Sequence, residues 1–460
     1  MKLPAGPKTP PFVQKLQWIA SPLDLLETSA QKYGNTFTLR LGGLPPMVLL
    51  SSPQAIQELF SAKPEQFDSD RGKGIAGAPS LRPLLGEQSL LLMDGERHQH
   101  QRRLLLPPFH GERMRAYGKL ICEVTEQVIS QWRIGEPFSV RSSMQEISLQ
   151  VILQAVFGLH EGQRYEQLKQ LLRSLLNVTG SSLRSSLLFF RLLQRDLGAW
   201  SPWRRFLRQK QQIDQLLNAE IQERREQANS SRTDILSLLM SARDENGQPM
   251  TEAELRDELI TLLIAGHEST ASVLTWALYW IHHLPAVHGQ LRLELDTVGD
   301  NTNLSEISRL PYLTAVCSET LRIYPIGLIT FPRIVKSPLQ LAGYQFEPNT
   351  TLVGCIYLTH HREDLYPEPK SFKPERFLER QFSPYEYLPF GGGNRRCIGM
   401  AFVEFEIKLV LATVLSRWQL AIAGEQAVQP VRRGVTLAPS DGKWLIATGQ
   451  RQKANIPILL

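Results

Sequence analysis

The stretch Phe390-Gly-Gly-Gly-Asn-Arg-Arg-Cys-Ile-Gly399 is the most informative part of this sequence. It places Cys397 in a glycine-rich loop, behind two arginines and ahead of an apolar helix predicted from Met400 to about Trp418. Consecutive glycines permit backbone conformations that turn amide N–H groups toward the sulfur, and a helix begins at the positive end of its dipole. Both effects favour the thiolate, the form of cysteine that binds a metal. The alternative is a buried core thiol, the commoner role of a lone cysteine.

The spacing Phe-x-x-Gly-x-Arg-x-Cys-x-Gly resembles the haem-binding loop of the cytochrome P-450 superfamily, the haem-thiolate monooxygenases. All its fixed positions match, namely Phe390, Gly393, Arg395, Cys397 and Gly399. The resemblance runs from about Gly6 to about Trp444, with three further motifs in the family's order. It implies a mainly α fold with small β-sheets, a triangular prism of helices with a long central helix over the haem. It also implies that Cys397 is the axial ligand of the haem iron, with Phe390 in the same cofactor-binding loop.

Composition favours one globular unit over residues 1–460, because the sequence has no linker-like tract, internal repeat or long charge run. The net charge of +6 is modest, and no dense basic or aromatic array indicates nucleic acid binding. The four cysteines contain no Cys-x-x-Cys pair, which argues against a zinc site or redox dithiol and fits a reducing compartment. The proline-rich start lacks an apolar run long enough to span a bilayer. Microsomal members of the family carry such an anchor, so the resemblance implies the soluble bacterial type: a cytoplasmic monomer, with loose membrane association as the alternative.

The hydrophobic pattern is mostly helical, with β-rich portions at about 36–60 and 330–360 and a weaker one at the C terminus. Turns at Ala342-Gly343 and Pro348-Asn349 separate strands in the second portion. Thr36–Leu41 and Met47–Leu50 are expected to form a hairpin or two neighbouring strands, and the second β-rich portion covers Leu339–Phe346 and Thr350–Ile356.

The longest predicted helix begins at the capping box Thr251-x-x-Glu254 and continues to Leu284, where Pro285 ends it. Its segment Ala265-Gly-His-Glu-Ser-Thr270 resembles the family motif Ala/Gly-Gly-x-Asp/Glu-Thr. The resemblance implies that Glu268 and Ser269 deliver protons during dioxygen activation, and Gly266 is expected to leave room for the flat cofactor. Serine in place of threonine keeps the hydroxyl and loses the β-methyl that stiffens χ1. The alternative for Glu268 and Ser269 is a polar ridge that faces solvent.

Glu319-Thr-Leu-Arg322 matches the pattern Glu-x-x-Arg, whose spacing places both charges on one helix face. Alone, such a pair is an ordinary surface ion pair. Arg376, in Pro374-Glu-Arg-Phe377 downstream, gives the pair more weight. The resemblance implies that Glu319, Arg322 and Arg376 form a structural triad, without a catalytic role, that fixes the segment before the cysteine loop.

Four basic residues are candidates for binding the haem propionates: His98 and Arg102, spaced i,i+4 on a predicted helix, Arg333 and Arg395. Arginine forks bind carboxylates bidentately, and propionates are carboxylates. For His98 and Arg333 the alternative is a surface position.

The segment from Leu187 to Phe206 mixes aromatic residues with arginines and resembles in position the lid over the family's substrate channel. A lid packed on its own protein is the favoured interpretation. A peripheral membrane contact is the alternative, because Trp and Arg favour membrane interfaces.

The family resemblance implies haem b as cofactor and insertion of one oxygen atom of O₂ into a C–H bond. Mostly apolar segments at Pro325–Thr330, around Leu84–Leu92 and at Gly434–Thr436 match pocket-lining stretches of the family and favour a lipophilic substrate. Long-chain fatty acids, alkanes and terpenoids are the expected classes. Because no flavin or nicotinamide fingerprint occurs, NAD(P)H is expected to act only through a ferredoxin reductase and ferredoxin. Two alternatives stay open: a peroxygenase that uses H₂O₂, and a haem protein that binds a ligand without catalysis.

Overall fold

The structure, a computed structural model, describes residues 3–68, 78–111, 113–179, 194, 201–227, 232–298, 303–424, 428–434 and 436–451. Helices make up most of these residues and small sheets lie among them, so the predicted fold class is confirmed. The helices are α1 (Pro11–Ala20), α2 (Pro22–Tyr33), α3 (Pro53–Ser61), α4 (Ala78–Leu85), α5 (Gly95–Leu105), α6 (Arg113–Ile129), α7 (Val140–Phe157), α8 (Gln163–Thr179), α9 (Pro202–Gln227), α10 (Ile235–Ser241), α11 (Glu252–His283), α12 (Pro285–Asp296), α13 (Leu304–Ile307), α14 (Pro311–Ile323), α15 (Ile356–His360), α16 (Arg376–Glu379) and α17 (Met400–Arg417).

The strands belong to four sheets in the described part of the chain. They are β1 (Thr36–Leu39), β2 (Met47–Leu50), β3 (Phe67–Asp68), β4 (Pro137–Phe138), β5 (Arg333–Val335), β6 (Leu339–Leu341), β7 (Tyr344–Phe346), β8 (Thr351–Gly354), β9 (Trp418–Ile422), β10 (Pro430–Arg433), β11 (Thr436–Pro439) and β12 (Leu445–Gln450).

The largest sheet joins the two predicted β-rich portions, which are far apart in sequence. Its order is β1-β2-β8-β5-β3, and β2 pairs antiparallel with β1 and parallel with β8. The predicted bounds of about 36–60 and 330–360 are too wide, because α3 and α15 are helical. Ser52 caps α3 by accepting a hydrogen bond from the N–H of Ala55, and Pro53 suits the first helical position.

The central helix α11 has 32 residues, a length of roughly 48 Å. Both halves of the predicted capping box at Thr251 and Glu254 are present, and the helix ends before Pro285. The helix is apolar on most sides and packs most extensively against α7, which is also largely buried. None of the helices in the described ranges has both the length and the apolar character of a membrane span.

The cysteine loop leads into α17, close to the predicted helix from Met400 to about Trp418. Gly391 and Gly393 have φ angles of 69° and 59°, values that residues with a side chain rarely adopt. The two glycines let the chain turn before α17. As a result, Cys397 lies just ahead of the positive end of that helix.

Candidate functional site

Cys397 differs from the three other cysteines because it is exposed while Cys122, Cys317 and Cys355 are buried. Its N–H donates a hydrogen bond of 3.0 Å to the carbonyl oxygen of Phe390, which closes the loop. The Cys397 side chain has solvent-accessible surface, yet the protein packed around the sulfur desolvates the thiol and raises its pKa, while the N–H of Gly399 and the charges of Arg102 and Arg396 lower it. The expected thiolate-favouring groups are therefore present, but desolvation outweighs them in the free thiol. A coordinated metal ion would provide the further stabilisation of the thiolate.

The glycines of this loop also allow close packing against neighbouring side chains. A Cβ added to Gly392 would lie 2.2 Å from the Phe60 ring, and one added to Gly393 would lie 3.1 Å from Nη2 of Arg333. The loop therefore lies directly against an aromatic ring and a guanidinium group. A larger residue at either glycine would displace the group beside it.

Arg333 and Arg395 are held in place by backbone carbonyls. Arg333 donates to the carbonyl of Leu59 at 2.7 Å, and its guanidinium lies over the Phe60 and Phe67 rings. Burial lowers the pKa of Arg333, and the positive charge of Arg395 lowers it further. Arg333 is half-buried with its guanidinium over two aromatic rings, and its role at the propionates stays a prediction.

Arg395 donates at 3.1 Å to the carbonyl of Leu90 and also contacts the Met93 carbonyl and the Asp94 carboxylate. Burial is the main cause that lowers its pKa. Asp94 offsets part of the charge of Arg395, while the carbonyls orient the guanidinium without neutralising it.

His98 and Arg102 both lie on α5, and His98 is buried there, so its surface alternative is wrong. Burial lowers the pKa of His98 to about 3, with further lowering by Arg395 and Arg102. The imidazole is therefore neutral at neutral pH and has one N–H to donate. Burial lowers the pKa of Arg102, and the negative charge of a Cys397 thiolate offsets part of this lowering. Arg102 lies near Cys397, Arg333 lies against Gly393 of the cysteine loop, Arg395 belongs to that loop, and the neutral His98 shares α5 with Arg102. This donor set suits a soft metal bound by sulfur within a ring that carries carboxylates.

Ala265 and Ser269, on the central helix α11, form the second part of the candidate site, after the cysteine loop. Ala265 is exposed although most of α11 is buried. Ser269 is half-buried and donates a hydrogen bond of 2.6 Å to the carbonyl of Ala265. Thr270 is fully buried, and its hydroxyl finds no partner among the described residues. Thr270 therefore lies on a different face of the helix from Ser269, as the helical rotation of about 100° per residue requires.

Glu268 lies against α7 and not in solvent, so the alternative of a solvent-facing ridge is wrong for this residue. Arg141 donates to one carboxylate oxygen at 2.7 Å, and Gln145 donates to the other at 3.0 Å. The side chains of Arg141 and Glu268 are 5% and 14% exposed, so this is a buried ion pair. Arg141 also approaches Asp441 at 3.3 Å, and the Asp441 side chain is 72% exposed. Arg141 therefore lies between the largely buried carboxylate of Glu268 and the solvent-exposed carboxylate of Asp441.

Gly266 requires a correction. A Cβ at this position would lie 3.1 Å from Cδ1 of Ile152 on α7. The absent side chain therefore makes room for the neighbouring helix, and the room predicted for a flat cofactor is taken by Ile152. Close packing of α7 on α11 also brings the hydroxyl of Ser148 within 3.2 Å of the His267 carbonyl.

The three charged residues of the predicted structural triad lie together in the interior. Glu319 accepts hydrogen bonds from Nε and Nη2 of Arg322 at 2.6 and 2.8 Å and from Nε of Arg376 at 3.2 Å. It also accepts one from the N–H of Lys373 at 2.8 Å. Arg322 reaches the carbonyl of His360 at 2.7 Å. These bonds tie α14 to the segment that leads toward the cysteine loop.

Sequence reasoning missed Arg141, Gln145 and Glu258. Neither residue of α7 belongs to a recognisable motif, and their partner is far away in sequence. The sequence does mark Glu258 as unusual, because Asp257 and Glu258 are two adjacent acidic residues at the start of an apolar run.

The predicted lid lies mostly outside the described residues, which include only position 194 between Leu187 and Trp200. Its described end contains Trp203 and Phe206 on α9, which are buried and stack at 5.2 Å between ring centroids. This end of the segment therefore packs on its own protein. Val435, in the third predicted pocket stretch, is also outside the described residues.

Comparisons with known proteins agree with this geometry. The model of the family described as Cytochrome P450 matches residues 4–446. Cytochrome P450 135B1 of Mycobacterium tuberculosis is 36% identical over 447 residues, which cover 96% of this chain and 90% of that protein. Cytochrome P450 135A1 of the same organism is 32% identical over 460 residues, with coverage of 99% and 97%.

Solved structures show the same fold. The retinoic acid-bound cyanobacterial CYP120A1 has a TM-score of 0.83 at 23% identity, and covers 98% of this chain and 100% of its own. The haem domain of cytochrome P450DA has a TM-score of 0.84 at 22% identity, with 98% of each chain covered. The family match and the identities to the mycobacterial proteins show that this chain belongs to the cytochrome P450 family of haem-thiolate monooxygenases.

Proposed function

We propose that this chain binds haem b through Cys397 and hydroxylates C–H bonds of a lipophilic substrate, a long-chain fatty acid, alkane or terpenoid. The observation that carries the proposal is the exposed Cys397 thiol among cations, together with an acid and an alcohol on a central helix that shows an exposed apolar residue, Ala265, at mid-length. We propose that His98, Arg102, Arg333 and Arg395 bind the two haem propionates. Haem with a thiolate ligand supplies the activation of dioxygen when it is bound.

We propose that Glu268 and Ser269 deliver the protons that the activation of dioxygen consumes. The Ser269 hydroxyl donates to the Ala265 carbonyl, and both oxygens of Glu268 accept hydrogen bonds from α7. At least one of the two side chains must therefore leave its present partner before a proton can pass between them. Arg141 sets the cost of moving Glu268, and the exposed Asp441 on the other side of Arg141 offers a competing carboxylate. A guanidinium does not give up its own proton in a protein, so Arg141 acts by position and charge.

The substrate class is inferred from the apolar segments that the family resemblance assigns to the pocket. Leu84, Leu85 and Leu90 are buried in the first segment, and Leu328 is buried in the second. Apolar walls favour ligands that gain from leaving water.

Electrons are proposed to come from NAD(P)H through a ferredoxin reductase and a ferredoxin. Five arginines flank the cysteine motif or the α5 segment and are exposed: Arg97, Arg103, Arg113, Arg115 and Arg396. A basic surface attracts an acidic partner and speeds its association.

The first test is the carbon monoxide difference spectrum of the reduced protein, which is expected to show the red-shifted Soret band of thiolate ligation. Fatty acids, alkanes and terpenoids are then screened for the low-spin to high-spin shift, and shifted compounds are incubated with NADPH, ferredoxin and reductase. A hydroxylated product supports the proposal. Turnover with H₂O₂ alone would indicate a peroxygenase, and the thiolate band without turnover by either route would indicate a binding protein.

A further inference from the structure

The segment between α4 and α5 is bound to the first half of the central helix by several buried contacts. Asp257 accepts a hydrogen bond from the N–H of Gln88 at 2.9 Å, and Glu258 accepts one from the N–H of Leu90 at 2.7 Å. The hydroxyl groups of Ser89 and Thr261 lie 2.7 Å apart. Three consecutive residues of the segment are therefore fixed to one face of α11.

Leu90 is held on both sides of its backbone. Its N–H donates to Glu258, and its carbonyl accepts the hydrogen bond of 3.1 Å from Arg395. Because Arg395 lies two residues before Cys397, Leu90 connects the central helix to the cysteine loop. A shift of Leu90 would therefore move the acceptor that orients the Arg395 guanidinium.

Glu258 also reaches α5, through a second hydrogen bond. Gln101 donates at 3.2 Å to Oε1, the same oxygen that accepts from Leu90. Gln101 is 2% exposed and shares the buried face of α5 with His98, next to Arg102 in sequence. One oxygen of one buried carboxyl thus contacts both of the elements that support His98, Arg102 and Arg395.

The burial and protonation of the Glu258 carboxyl suit a group that acts as a fixed hydrogen-bond acceptor. Glu258 is fully buried, and burial is the largest cause that raises its pKa to about 8, with a further contribution from Asp257. Oε2 finds no partner among the described residues. At neutral pH the group is therefore a neutral acid that uses Oε1 as its acceptor.

We propose that Glu258 is a positioning residue for haem binding: it sets the places of Arg395, through Leu90, and of His98 and Arg102, through Gln101. This inference rests on the haem site proposed above. Among the described residues, the hydrogen bonds of Glu258 are to Leu90 and to Gln101 on α5, so we assign it no part in proton delivery.

The test compares Glu258→Leu with Glu258→Gln. Glutamine keeps an oxygen that accepts both hydrogen bonds and has the charge of the neutral acid, whereas leucine removes the acceptor. We expect haem transfer to excess apomyoglobin to be roughly tenfold faster from E258L and unchanged from E258Q, the factor that corresponds to about one buried hydrogen bond. Hydrogen exchange of the Leu90 amide should also accelerate in E258L and stay slow in E258Q.

Glu406→Leu is the matched control. Glu406 is another buried carboxyl on a helix, α17, with a pKa that burial raises to about 8, and its Oε1 finds no partner among the described residues. Leucine there should leave haem transfer and Leu90 exchange at the wild-type rates. Equal effects of E406L and E258L, or wild-type haem transfer from E258L, would overturn the proposal.

If E258L does not fold, Gln101→Leu carries the test, because it removes only the contact to α5. Faster haem transfer with normal Leu90 exchange is expected, and unchanged haem transfer overturns the proposal. Both measurements are made without turnover. Failure to hydroxylate any substrate would therefore count against the proposed function and leave this inference standing, while failure of the wild type to retain haem would overturn both.

Discussion

Replacing Glu319 with glutamine removes the one carboxylate that the two buried arginines share. Glu319 and Arg322 have fully buried side chains, and that of Arg376 is 9% exposed. Glu319 accepts three hydrogen bonds from these guanidinium groups and one from the N–H of Lys373. Glutamine offers one acceptor oxygen, and its amide N–H₂ would face guanidinium donors.

The magnitude follows from the burial of these charges. Breaking one buried ion pair by removing a partner costs about 3–5 kcal/mol, because it leaves an uncompensated charge. Here two cations lose the same partner, so we expect E319Q to lower the free energy of unfolding by about 5 kcal/mol. That is a large part of the roughly 5–15 kcal/mol that stabilises a typical domain.

Urea unfolding followed by circular dichroism measures this loss, and Glu294→Gln is the control. Glu294 accepts hydrogen bonds from the N–H groups of Tyr312 and Leu313 at the start of the same helix, α14, at 2.6 and 2.8 Å. Because it acts as a cap and not within a buried pair, its loss should cost about 1 kcal/mol. A cost below about 1 kcal/mol for E319Q, or equal costs for the two variants, would refute the reasoning.

Four further predictions concern the site and its surroundings. Cys397→Ala should abolish hydroxylation and the thiolate Soret band, and full hydroxylation by this variant would refute the ligand assignment. Ser269→Thr should raise the product formed per NADPH consumed, because the β-methyl stiffens χ1; an unchanged ratio contradicts this account. Arg141→Gln should lower the free energy of unfolding by about 3 kcal/mol, against less than about 1 kcal/mol for the more exposed Arg173→Gln, and equal losses would exclude a special role of the buried pair. For Glu406 the folded state keeps the proton that the unfolded state loses, so the contribution of this group to the free energy of unfolding falls as the pH rises from about 4.5 to about 8. Glu406→Gln should remove this fall, of roughly 5 kcal/mol, and parallel pH profiles of unfolding for the two proteins would refute the assignment.

Local signals explain which parts of the fold were predictable. The capping box at Thr251 and the proline at position 285 determine the ends of α11 from neighbouring residues alone. Ala342 and Gly343 have positive φ angles, as the turn predicted between β6 and β7 requires. The parallel pairing of β2 with β8 had no such signal, because the partners are far apart in sequence and neither strand contains information about the other.

The same distinction applies to the site. Cys397 and Arg395 belong to one motif, so spacing alone indicated them. The contacts of Glu268 with Arg141 and of Glu258 with Leu90 join distant segments, and only the packing of α7 and of the Leu90 segment against α11 creates them. A motif identifies a residue but does not say which neighbour holds it.

Glu268 and Ser269 are adjacent in sequence, yet in this structure they are bonded to different elements. Ser269 donates to the carbonyl of Ala265 within its own helix, while Glu268 is held by α7. Proton delivery therefore requires at least one of the two side chains to leave its present partner. Threonine would hold χ1 of the alcohol more firmly than serine does, because its β-methyl restricts rotation. The serine thus positions the alcohol less firmly, while the ion pair with Arg141 restrains the acid.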